Sequence, residues 1–66
     1  MIPENVIDVL ENIRASGAIN MFDRRGVIVI ADVFDEEAAD WLRSNENLYM
    51  DALNEMGARV NKEQKS

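Results

Sequence analysis

The sequence predicts an all-α protein, a compact bundle of three to four short helices in a single domain. Apolar residues recur every three or four positions over residues 2–13, as they do on one face of a helix. The acidic run at 35–37 is typical of a helix start, where carboxylates meet unpaired backbone N–H groups. A second helical stripe covers residues 48–56. These three patterns mark three of the predicted helices.

The first helix is predicted over residues 3–16. Pro3 suits the first helical position, where its missing N–H removes no hydrogen bond. Gly17 readily takes the left-handed conformation that ends a helix. The boundaries of this element are therefore set by local chemistry alone.

Residues 17–23 form a junction that we expect to fold back onto the core. Ile19, Met21 and Phe22 are too apolar for a solvated loop. Asp23 or Asn20 offers a side-chain oxygen to the N–H groups that open the next element. The junction therefore sets the angle between the first helix and the next element.

The segment 23–34 supports two interpretations. Its dense β-branched residues, from Val27 to Val33, favour a buried strand on propensity alone. As a helix, it places Val27, Ile30, Ala31 and Phe34 on one side. The residues alone leave both interpretations open.

Two further helices are predicted after this segment. Asp35 is the expected N-cap of one, and Ser44 or Asn45 caps the last, which we expect to end at Gly57. Residues 1–57 then form the helical domain, and 58–66 form a flexible polar tail.

The size of the chain favours a homodimer. A 66-residue core supplies only about 3–5 kcal/mol, and without cysteine or histidine there is no disulfide or common transition-metal ligand to add to it. As a helix, residues 27–34 are apolar almost all round, which requires burial on more than one face. We therefore expect Ile28, Val29 and Val33 to form a dimer interface.

Acidic residues make a patch that we expect to bind a partner: Asp32, Glu36, Glu37 and Asp40. A solvated helix start is the plainer alternative, and a divalent-cation site the weakest, because the spacing lacks the pattern of a calcium loop. Residues 1–57 hold 12 acidic and 4 basic side chains, a balance that opposes nucleic-acid binding and favours a basic protein surface. We expect Arg24 or Arg25 to pair with Asp23 or Asp32 at the surface.

One motif resembles a known family. Ile13-Arg14-Ala15-Ser16-Gly17 followed by Asn20-Met21-Phe22-Asp23 is similar to a short phage and bacterial domain family of unknown function, with Trp41 and Tyr49 matching its aromatic positions. The resemblance implies that 23–34 is helical and that the chain has a phage-type origin. Ile28, Val29 and Val33 depart from the mainly polar residues of the family at those positions, which supports an interface there.

These observations predict a non-catalytic protein-binding module, not an enzyme. The chain has no histidine or cysteine, and no serine has a base beside it, so we expect no catalytic residue, cofactor or metal. The expected partner is a host defence or regulatory protein with a basic surface, which the module inhibits or modulates. We expect the module to act in the cytoplasm and not to bind a membrane. The alternative is a transcriptional or nucleic-acid-associated regulator, in which 27–31 and the helix after it act as a helix-turn-helix.

Overall fold

The computed structural model describes residues 2–17 and 19–64, and this part of the chain is helical with no strand. The helices are α1 (Glu4–Ser16), α2 (Arg24–Phe34), α3 (Glu36–Ser44) and α4 (Tyr49–Gln64). A single 3₁₀ turn, Glu46–Leu48, leads into α4. The predicted all-α class is confirmed.

Short polar side chains begin two of the four helices. Asp23 accepts a hydrogen bond from the Gly26 N–H at the start of α2. Asp35 accepts from the N–H groups of Glu37 and Ala38 at the start of α3. These two predicted N-caps are therefore confirmed. The predicted cap of the last helix at Ser44 or Asn45 is wrong, because Ser44 ends α3 and Asn45 precedes the 3₁₀ turn without a side-chain capping hydrogen bond.

The boundaries of α1 are close to the predicted ones. Gly17, at φ 65°, ends the helix by donating its N–H to the Arg14 carbonyl. Pro3 lies one position before the helix as its N-cap, so α1 begins at Glu4 rather than at Pro3. This shift leaves the apolar face of α1 in the predicted register.

The helical interpretation of 23–34 is correct, but its buried face differs from the predicted one. Val27, Ile28 and Ala31 are buried, whereas Phe34 is 53% exposed. α2 ends at Phe34, because Asp35 turns the backbone to φ −160°. The last side chain of the helix therefore lies at the edge of the core.

The core lies between the four helices and is entirely apolar apart from one phenol. Its fully enclosed large side chains are Leu10, Ile13, Leu42, Val6 and Val27. The hydroxyl of Tyr49 donates a hydrogen bond to the Met21 carbonyl, which ties α4 to the junction between α1 and α2. Ile19 and Met21 pack against the core as predicted, but Phe22 is 73% exposed, contrary to expectation.

The helix α4 does not end at Gly57 but continues to Gln64. Gly57 keeps a right-handed backbone, since Gly17 supplies the only positive φ of a glycine in the described chain. Val60 packs against the core, and Arg59 reaches back to α1. Residues 58–64 of the predicted tail thus continue α4, with tertiary contacts at Arg59 and Val60, while Lys65 and Ser66 lie outside the described residues.

An ion-pair cluster joins α1 to α4. The Arg59 guanidinium lies 2.5 Å from a carboxylate oxygen of Glu11 and 2.5 Å from one of Asp8. The hydrogen bond from Arg59 holds the pKa of Glu11 below its usual value, although partial burial acts in the opposite direction. The charged form of Glu11 is therefore favoured in the folded protein.

We expect Glu11 to make the protein more sensitive to acid. A carboxylate whose pKa is lowered by folding stabilises the native state above its unfolded pKa, and that contribution disappears as the pH falls through its folded pKa. This surface pair contributes under about 1 kcal/mol, so Glu11→Gln costs up to that amount at neutral pH and almost nothing in acid. Urea unfolding at neutral pH and well below pH 4 measures it, with Glu55→Gln as the control on α4. If Glu11→Gln lowered the free energy of unfolding equally at both pH values, the charge of Glu11 would not be the cause of its contribution.

Candidate partner-binding surface

The residues of the predicted acidic patch do not lie on one continuous helix. Asp35 breaks the chain between Asp32, on α2, and the three acidic residues of α3. The Asp35 carboxylate also accepts from the Asn5 side chain at 3.3 Å, so it serves the fold. Asp32, Glu36 and Asp40 are spaced four residues apart, but they therefore do not share one face of a continuous helix.

A guanidinium nevertheless brings Asp32 and Asp40 together. Arg43, near the end of α3, lies 2.8 Å from an Asp40 oxygen and 3.8 Å from an Asp32 oxygen. Glu36 and Glu37 are exposed and form no ion pair within the described part of the chain. The carboxylates here outnumber the single basic group that contacts them, so the surface keeps a negative charge.

We call Glu36, Glu37 and Asp40 the α3 surface. All three side chains are exposed, and all three lie within the first five residues of α3. The buried side of the same helix consists of Ala38, Ala39 and Leu42. The small side chains of Ala38 and Ala39 therefore allow α3 to pack close to the other helices, while its carboxylates lie on the opposite, exposed side.

An open groove of about 400 Å³ adjoins the α3 surface. Glu37 and Asp40 line it from one helix, and Pro3 and Asn5 from the start of α1. The half-buried side chain of Trp41 also lines it. Its spacing in the sequence places Trp41 on the apolar side of its helix but does not reveal the groove, which depends on how α1 packs beside α3.

The predicted dimer residues have different environments. Ile28 is only 6% exposed, because the monomer's own helices bury it, so the expectation that it needs a second molecule is wrong. Val29 and Val33 are 67% and 85% exposed and lie one turn apart. Arg25 and Asp32 are exposed on the same side of the helix. We call Arg25, Val29, Asp32 and Val33 the α2 face.

The arginines at the start of α2 pair differently from the prediction. Arg24 contacts Glu46 of the 3₁₀ turn at 2.7 Å, rather than Asp23 or Asp32. Arg25 forms no ion pair with any described residue. The acid that Arg24 reaches is more than 20 positions away in sequence, so no local pattern predicts it.

The described residues also bear on the requirements of a metal site, an ionisable tyrosine and a membrane span. They contain no group of three or more acidic residues placed to hold a metal ion. Burial raises the pKa of Tyr49 to about 12, so its hydroxyl stays protonated at neutral pH and continues to donate to Met21. No helix in the described ranges has the length and apolar character needed to cross a membrane.

Comparisons with known proteins give no relative: no family model, curated protein or solved structure matches the chain. The resemblance of residues 13–23 to a phage and bacterial domain family stays a prediction, because nothing in the comparisons bears on it.

Proposed function

We propose that this chain is a small, acidic, non-catalytic module that binds another protein through the α3 surface. The observation that carries the proposal is the exposure of Glu36 and Glu37 without an ion pair, beside an open groove. Unpaired carboxylates attract a basic surface and suppress binding to acidic ones. The partner is therefore a protein that presents lysine or arginine side chains.

The groove next to the α3 surface supports this choice of partner. A lysine or arginine side chain that enters it meets the carboxylates of Glu37 and Asp40 and the ring of Trp41. An aromatic ring attracts a cation by about 0.5–1 kcal/mol at exposed sites and more when water is excluded. We propose that one cationic side chain of the partner occupies this groove.

The biological role we propose is inhibition or modulation of a host defence or regulatory protein by occupation of its surface. This role, and a phage origin, rest on the family resemblance and on the acidic charge. We also propose that the module is a homodimer in the cytoplasm that pairs through α2, because Val29 and Val33 are unusually exposed for apolar side chains.

Nothing in the fold favours the helix-turn-helix alternative. A single residue, Asp35, separates α2 from α3. The second helix, which would enter the major groove, presents Glu36, Glu37 and Asp40 at its exposed start. A recognition helix needs donors or cations there, and carboxylates repel the phosphate backbone.

We expect the Glu36→Lys/Glu37→Lys/Asp40→Lys variant to lose its partner. Three carboxylates become three cations, which turns attraction into repulsion and lowers affinity by at least about a hundredfold. Capture from bacterial lysate, with the captured proteins identified by mass spectrometry, measures the loss. Stability should change by under about 1 kcal/mol per site, since the residues are exposed.

A matched variant separates location from total charge. Glu4, Asp51 and Glu55 are also exposed acidic residues, on α1 and α4. Their replacement by lysine changes the net charge equally and should leave capture intact. The proposed function is wrong if both triple variants capture the same proteins as wild type, or if both lose them equally.

A further inference from the structure

We propose that the α2 face binds a second copy of the chain in an antiparallel arrangement, with Arg25 of each copy opposite Asp32 of the other. This inference rests on the proposed homodimer and adds its geometry. It concerns a different surface from the one proposed to bind the basic partner. The dimer and the partner binding can therefore be tested independently.

The composition of the α2 face is self-complementary. Its first exposed residue, Arg25, is basic, and Asp32, two turns later, is acidic. Val29 lies between them, and Val33 extends the apolar part of the face. Residues at spacings of four and seven share one side of a helix, so all four belong to a single surface.

A two-fold axis beside Val29 gives both the apolar and the charged residues of this face a partner in the second copy. Arg25 and Asp32 are about 10 Å apart along the helix, and the midpoint between them lies within one residue of Val29. An antiparallel copy centred there places Val29 against itself. It also forms the Arg25–Asp32 pair twice, once on each side of the axis.

The charges of the face favour a second copy over other occupants. Arg25 is without an ion pair among the described residues, and the Asp32 contact with Arg43 is 3.8 Å, while Asp40 holds Arg43 at 2.8 Å. A basic partner would suit Asp32 but repel Arg25, and an acidic partner would do the reverse. A parallel copy would bring like charges together. Of these four occupants, the antiparallel copy is the one that pairs both residues.

The interface is small for a stable dimer. A standard interface buries about 800 Å² per partner, close to a fifth of the 4424 Å² surface of this chain. The α2 face belongs to one 11-residue helix and supplies less than that. We therefore expect weak association, visible at tens of micromolar.

A charge exchange tests the geometry. Arg25→Asp or Asp32→Arg alone places like charges opposite each other twice per dimer, which should weaken association at least about tenfold. The Arg25→Asp/Asp32→Arg double variant restores both pairs and should recover to within about threefold of wild type. Sedimentation equilibrium measures the dimer dissociation constant of each variant, and circular dichroism confirms that each variant is folded. A folded double variant no better than the single variants would overturn the arrangement.

An independent measurement uses the absence of cysteine from the sequence. Val29→Cys places two thiols beside the two-fold axis, where mild oxidation should join the chains through a disulfide. Met50→Cys, 51% exposed on α4, is the control and should stay unlinked. Equal linking of both variants, or linking of neither, would overturn the proposal. Arg25→Asp leaves the α3 carboxylates unchanged, so capture of the basic partner should persist even where pairing is lost.

Discussion

The Val29→Glu/Val33→Glu variant should sediment as a single folded chain at concentrations where wild type is dimeric. Each valine moved from water into the interface contributes about 1.5–3 kcal/mol before the cost of association. The substitutions would instead place four carboxylates around the two-fold axis. Both side chains are mostly exposed in the monomer, at 67% and 85%, so the helices should be retained.

Asn12→Glu/Asn54→Glu is the matched control for this variant. Both asparagines are exposed, one on α1 and the other on α4, so the same charge is added away from the α2 face. The control should keep the wild-type mass. A dimeric Val29→Glu/Val33→Glu variant would contradict pairing through α2, and a wild type of one-chain mass would remove the dimer altogether.

Leu10→Ala should bring the protein close to its unfolding midpoint at room temperature. Leu10 is fully buried on α1, and truncation of such a residue costs about 2–5 kcal/mol through lost burial and the cavity left behind. A domain of this size holds only about 3–5 kcal/mol in total, so a single cavity removes most of it. Thermal unfolding followed by circular dichroism measures the change.

Leu48→Ala makes the same truncation at a half-buried position in the 3₁₀ turn. We expect it to cost less than half as much, because surrounding water already reaches part of the side chain. A Leu10→Ala variant as stable as Leu48→Ala would show that the core does not determine folding in the way described.

Helix boundaries could be predicted from the sequence where their cause is local. Gly17, Asp23 and Asp35 act through backbone atoms within four residues of themselves, and each ends or begins a helix at or next to the expected position. Gly57 shows the limit of such prediction. Its helix continues because Arg59 contacts α1, and that contact depends on a packing that no local pattern specifies.

The candidate site was only partly predictable for the same reason. The exposure of Glu36, Glu37 and Asp40 is expected from their position on the polar side of α3. The groove beside Trp41 needs the start of α1 as its second wall. The burial of Ile28 likewise depends on neighbouring helices, since its spacing alone places it off the predicted core stripe.

Recognition of a basic protein by the α3 surface can be mapped residue by residue. Nuclear magnetic resonance of the labelled chain, titrated with the protein it captures, locates the contact. We predict that the largest shifts occur at the amides of Glu36, Glu37 and Asp40 and at the indole N–H of Trp41, and that added salt reverses them. Shifts confined to α1 and α4, with the α3 amides unchanged, would contradict it.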